Sequence, residues 1–169
     1  IRISNDLPNV KLIAIFRNPV ERAFSNYQHN IRDKTENLSF EDALKQEKSR
    51  IEIEKTKLKK DEFYHNENFL QFEYVERGIY VNQIINWLKY FSKDKILIIS
   101  TEDLEQHSSK TLTEVFSFLN LKSEKIDTST KLNVGTYSNM KDKTRDLLYN
   151  LFLPYNEQLY KLIKKRFDW

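Results

Sequence analysis

The chain has 169 residues, a length typical of one domain, and its 28 basic and 25 acidic residues leave a net charge of +3. That mild excess suits an anionic ligand but lacks the dense basic stripe of a nucleic-acid binder. With no cysteine, disulfides and thiolate metal sites are excluded, and no apolar run approaches the ~20 residues of a membrane span.

Val10 to Phe16 (VKLIAIF) is a nearly unbroken apolar run of branched side chains, and Lys95 to Ser100 (KILIIS) is a second. Runs of this length predict strands buried on both faces, as in a parallel sheet covered by helices. Helical signals follow each run, the βα rhythm of an α/β protein. The first helix has a full set of start signals: Asn18 to cap, Pro19 at the first position and Glu21 to complete an N-x-x-E box. It continues through Ala23, Phe24, Tyr27 and Ile31. After a polar stretch, Ser39 opens a second predicted helix with Phe40, Ala43 and Leu44 inward. Residues 47–60 alternate in charge and predict a solvated helix or excursion with a weak core face.

An aromatic segment (Phe63, Tyr64, Phe69, Phe72, Tyr74) precedes Arg77-Gly78. The spacing of Tyr80, Ile84, Trp87, Leu88 and Phe91 then predicts an amphipathic helix, with Trp87 and Phe91 in the core. A further helix is predicted over 108–119, and a polar loop containing Gly135 over 122–140. The last helix, 142–167, must kink or restart at Pro154. Trp169 is expected to anchor it.

Arg17 lies beyond the carboxyl end of the first strand, where ligands of open α/β sheets bind. The helix that follows offers unpaired N–H groups and a partial positive charge, and Arg17 adds a planar fork of donors. Ser25, two turns further on, can add a hydroxyl, and Arg22 is another cation nearby. From residue types alone, a structural salt bridge at Arg17 fits as well as an anion site. Of the histidines, His29 is expected on the helix surface or in a cap, and His65 leaves a catalytic role open. None of the three has metal-ligand spacing.

The segment RNPVERAFSNYQH (Arg17 to His29) resembles the 3′-phosphate-binding motif of sulfotransferases that use 3′-phosphoadenosine 5′-phosphosulfate, PAPS. The nearest likenesses are bacterial members and the heparan sulfate N- and O-sulfotransferase group, which share the form R-N-P-x-x-R-A-x-S-x-Y-x-H. Further matches follow in order: Arg77-Gly78-Ile79-Tyr80 with Trp87 to Phe91, Ile96 to Ser100 with Glu102-Asp103-Leu104, Phe118-Leu119-Asn120-Leu121 against F-L-G-L, and the tail from Thr144 to Trp169.

The resemblance implies a P-loop NTPase-like sulfotransferase fold, α/β with a parallel sheet flanked by helices, and a single domain over residues 1–169. It implies that Arg17 and Ser25 grip the donor's 3′-phosphate, with no metal. Tyr80 becomes a candidate donor contact, core packing being the equal alternative. Lys131 and Gly135 stand where many relatives close over the 3′-phosphate with a K-G-R segment, though the match is looser. The glycine-rich K-x-G-T-T loop, with its catalytic Lys, and the usual base are expected upstream of residue 1. A chain with these boundaries is therefore expected to be the C-terminal part of the domain and not to turn over alone.

Residues 33–77 form the variable charged and aromatic stretch expected beside the acceptor, a carbohydrate or small molecule carrying a hydroxyl or amine. No nucleic acid partner is expected. The cysteine-free composition favours a bacterial cytoplasm, with a secretory lumen left open. Two other readings stay open: another α/β nucleotide enzyme such as a small-molecule kinase, with Glu102 and Asp103 as its only weak metal-binding acids, or a non-catalytic adenosine-bisphosphate-binding domain.

Overall fold

The computed structural model describes residues 2–61, 71–128 and 139–169. They fall into two compact units. One takes residues 1–17, 81–136 and 166–168; the other takes 18–80, 137–165 and 169.

In the first unit, β1 (Leu12–Phe16) pairs in parallel with β2 (Ile96–Ser100), Leu12 opposite Ile96 and Phe16 opposite Ser100. Both predicted strands form, β1 two residues shorter than its apolar run. Burial on both faces does not hold for β1, because Ile13 and Ile15 are 37% and 55% exposed. Helix α1 (Arg2–Asp6) precedes β1, and α4 (Tyr80–Leu88) contributes most of its length to this unit. Phe91 is buried as expected, while Trp87, packed against it at 5.7 Å, is 37% exposed.

The end of β2 passes directly into α5 (Thr101–Gln106), where the buried Ser100 hydroxyl accepts from the Asp103 N–H at 2.9 Å. Thr111 of α6 (Ser108–Leu119) donates back to the Asp103 carbonyl at 3.1 Å. Helix α6 ends on Asn120 with φ of 59°, a left-handed position that asparagine tolerates better than most residues. That is the place where the resembling motif carries glycine. Lys11 lies over the Phe118 ring and donates to the Phe118 carbonyl, tying the entrance of β1 to the end of α6.

The second unit holds α2 (Pro19–Arg32), α3 (Phe40–Lys60), a short 3-10 turn (Glu76–Gly78) and α7 (Asp142–Ile163). Its core combines Val20, Ala23 and Phe24 of α2 with Phe40, Ala43 and Ile51 of α3, Tyr74, and Leu148, Phe152 and Leu159 of α7. Rings of Phe24, Tyr27 and Phe40 pack at 4.9–6.1 Å. Helix α3 starts at Ser39, whose hydroxyl accepts from the Asp42 N–H.

The charge run of α3 corrects the expectation of a solvated face. Phe40, Ala43, Glu47, Ile51 and Glu54 are all buried. Their spacing of three and four residues is one helix stripe, so two carboxylates sit in the core-facing row. Helix α7 runs through Pro154 without restarting and ends at Lys164 in the left-handed region. Trp169 packs on Tyr80 at 5.9 Å and Tyr160 at 6.1 Å, anchoring the chain end.

Gly78 is set by close approach. A β-carbon built there would meet Phe152 at 2.7 Å and Pro19, the first residue of α2, at 3.1 Å. Gly78→Ala is expected to destabilise the fold by about 1–3 kcal/mol through overpacking. A thermal unfolding curve checks this, and an unchanged midpoint would mean that Phe152 yields freely.

Candidate functional site

Arg17 follows β1 at once and is partly buried. Because Phe16 stands opposite Ser100 in a parallel pair, Arg17 lies on the carboxyl side of both strands. This is the edge at which α/β sheets collect ligands.

At the entrance of α2, Asn18 caps as predicted, its side-chain oxygen accepting from the Val20 N–H at 3.0 Å, with Pro19 at the first position. The other half of the box does not form. Glu21 instead pairs with Arg145 of α7. The helix entrance keeps its partial positive charge for an anion. Ser25 is partly buried two turns in, and its hydroxyl makes no hydrogen bond among the described residues.

One face of α2 carries a row of donors at i, i+4 and i+8. Arg22 donates to the Glu73 carbonyl at 3.1 Å, Asn26 to the Gln71 carbonyl at 2.9 Å, and Asn30 to the Gln71 carbonyl at 2.7 Å. From the other side, the Glu47 carboxylate of α3 accepts from the N–H groups of Val75 and Glu76 at 2.9–3.0 Å. Main chain 71–76 is thus held between two helices.

Arg22, read from sequence as a nearby cation, is largely withdrawn from solvent. Its second guanidinium nitrogen (Nη1) is buried without a hydrogen-bond partner among the described residues. Burial lowers its pKa, Tyr80 opposes that shift, and the Arg77 charge adds to it. Burial also raises the carboxyls of Glu47 and Glu73, opposed at Glu47 by the N–H groups it accepts and at Glu73 by Arg77.

Tyr80 is 5% exposed with its ring against Trp169, an environment of packing. Lys131, Gly135 and His65 lie outside the described residues. His29 is on the surface, its side chain 59% exposed and Nδ1 2.9 Å from Asp33. Among the described residues no group of three or more His, Asp or Glu comes together as a metal site, and no helix is long and apolar enough to cross a membrane.

Residues 3–150 match the family described as Sulfotransferase domain. The chain belongs to that family. It is 25% identical to the membrane-associated sulfotransferase kil1 of Dictyostelium discoideum over 233 residues, covering 99% of the chain and 50% of that protein. It is 26% identical to human carbohydrate sulfotransferase 15 over 179 residues, covering 96% of the chain and 31% of that protein. A crystal structure of a sulfotransferase from Alicyclobacillus acidocaldarius superposes with a TM-score of 0.77 at 28% identity, over 98% of the chain and 59% of that protein. The fold is therefore the sulfotransferase fold, and the chain spans half or less of these curated relatives.

In this member of the family, sequence reasoning drew attention to Arg17 and Ser25 but not to the residues that hold α2 in place. Glu47 was legible in principle, because it continues the spacing of Phe40 and Ala43 toward Ile51. A second network was not. Glu36 is buried and accepts from Arg50 at 2.6 Å, from the Tyr74 hydroxyl at 2.9 Å and from the N–H groups of Asn37 and Leu38. Arg50 also lies over the Phe72 ring.

Proposed function

We propose that residues 17–25 of this sulfotransferase hold the 3′-phosphate of PAPS, and that the protein transfers its sulfuryl group to a hydroxyl or amine of a carbohydrate. The single observation that carries this is the entrance of α2: a capped, proline-started helix preceded by Arg17, within R-N-P-x-x-R-A-x-S, and carrying a Ser25 hydroxyl that makes no hydrogen bond among the described residues. Arg17 supplies a bidentate guanidinium, the helix end its N–H groups and partial charge, and Ser25 a hydroxyl donor. By resemblance Tyr80 is a candidate donor contact, and Lys131 and Gly135, outside the described residues, are candidates for the same phosphate. The carbohydrate acceptor is supported by relatives named as carbohydrate sulfotransferases, and residues 33–77 border it. One family match runs through both compact units, which supports a single domain. A cytoplasmic setting fits a chain without cysteine.

In the transfer, the acceptor oxygen or nitrogen attacks sulfur in line with the bond to the 5′-phosphate. That bond breaks, adenosine 3′,5′-bisphosphate leaves, and the acceptor proton passes to a base. The residues named here act at the far end of the donor. Their binding energy orients the sulfur without touching it, which is how remote groups raise rate.

The test incubates the protein as its own gene encodes it with PAPS and a desulfated polysaccharide. Sulfate gain in the polysaccharide with equimolar release of adenosine 3′,5′-bisphosphate is expected. Phosphate transfer from ATP under the same conditions would replace this function with a kinase.

A further inference from the structure

The donor row on α2 has a consequence for Ser25. At about 100° per residue, Arg22 and Asn26 both lie about 60–100° round the helix from Ser25, on the same side. Their acceptors, the carbonyls of Glu73 and Gln71, belong to a main-chain segment whose next residues are fixed by Glu47. Elsewhere on α2, Val20, Ala23 and Phe24 face the core, Glu21 pairs with Arg145, and the Tyr27 hydroxyl donates to the Leu38 carbonyl at 2.9 Å. Apolar packing is non-directional, so the rotation of α2 about its axis is set by its directional contacts, of which the donor row is the largest group. A rotation of about 20° carries a side-chain oxygen about 1 Å, given the helix radius. That is more than the spread of good hydrogen-bond lengths.

We infer that Asn26 is a positioning residue, which fixes the rotation of α2 through the Gln71 carbonyl and so sets the Ser25 hydroxyl toward the 3′-phosphate. Arg22 and Asn30 hold the same row, but Asn30 is buried and also binds the Tyr74 hydroxyl, so Asn26 is the member that can be removed with least disturbance. The role rests on the phosphate reading given above and goes beyond it, since Asn26 touches no ligand.

A double-mutant cycle on the complete protein tests the role, with adenosine 3′,5′-bisphosphate and 5′-AMP titrated against each variant. Ser25→Ala is expected to weaken the bisphosphate about tenfold and leave 5′-AMP unchanged. Asn26→Ala, and independently Asn26→Asp, should weaken the bisphosphate severalfold, again sparing 5′-AMP. The decisive result is the pair: Ser25→Ala with Asn26→Ala should lose no more than Ser25→Ala alone, because a misplaced hydroxyl and a missing one are equivalent. If the two losses multiply, or if the Asn26 variants lower both nucleotides alike, Asn26 is structural only and the inference is overturned. If Ser25→Ala has no effect on bisphosphate affinity, the phosphate reading itself fails, and the positioning role with it.

Discussion

Arg17→Ala is expected to lower affinity for adenosine 3′,5′-bisphosphate about a hundredfold and to leave affinity for 5′-AMP within about twofold. A hydrogen bond to a charged group contributes about 1.5–3 kcal/mol, and a guanidinium can make two to one phosphate. A hundredfold corresponds to about 2.8 kcal/mol, just under the ~3 kcal/mol that is the least expected of two such bonds. Arg17 directly follows Phe16 and is partly buried, so the side chain starts from a fixed strand end rather than a mobile loop. Arg17→Lys should recover only part of the loss, since an ammonium keeps the charge but not the planar fork. Isothermal titration reads both variants, and equal losses for the two nucleotides would show that Arg17 serves the fold instead.

The second large effect concerns stability. Arg50→Ala is expected to cost about 3–5 kcal/mol, because it strands a carboxylate inside the protein. The Glu36 side chain is 1% exposed, and Arg50 is its only charged hydrogen-bond partner among the described residues. The sign of the pH dependence follows. Burial alone would raise the Glu36 carboxyl, but Arg50, the Leu38 N–H, the Tyr74 hydroxyl and the Asn37 N–H together hold it below the usual range. A lowered folded pKa means the ionised group stabilises the fold above its unfolded value. That contribution is lost as pH falls through the lowered folded value. In Arg50→Ala the strongest of the groups that offset burial is gone, so the acid-side loss of stability should become shallower. Urea unfolding across the carboxylate range checks both, and parallel curves for the two proteins would contradict the assignment.

Local signals made much of this fold legible. Two apolar runs became β1 and β2 because short runs of branched side chains favour strands, although one face of β1 stays exposed. The cap at Asn18, the proline after it and the cap at Ser39 are read within four residues, so both helix starts were found. The same local logic failed where a distant partner decides. Glu21 looked like the second half of a capping box, yet Arg145, far along the chain, takes its carboxylate. Glu47 and Glu54 looked solvated because their neighbours alternate in charge. At Glu47, two backbone N–H groups of residues 75 and 76 make burial tolerable. Lys131 and Gly135, assigned by resemblance, lie outside the described residues, and Tyr80 sits in a packing environment that sequence spacing had left equally open.

For the site, residue types alone placed an arginine beside a positive helix end, which suits any small anion. The ordered motifs narrowed that anion to a nucleotide 3′-phosphate, and family membership supports the narrowing without testing the residues. The most direct measurement is calorimetric titration of the protein with adenosine 3′,5′-bisphosphate against 5′-AMP. The two ligands share adenosine and the 5′-phosphate and differ only in the group that residues 17–25 are proposed to hold. Tighter binding of the bisphosphate by tenfold or more, abolished in Arg17→Ala, is the predicted result. Equal affinities would contradict it.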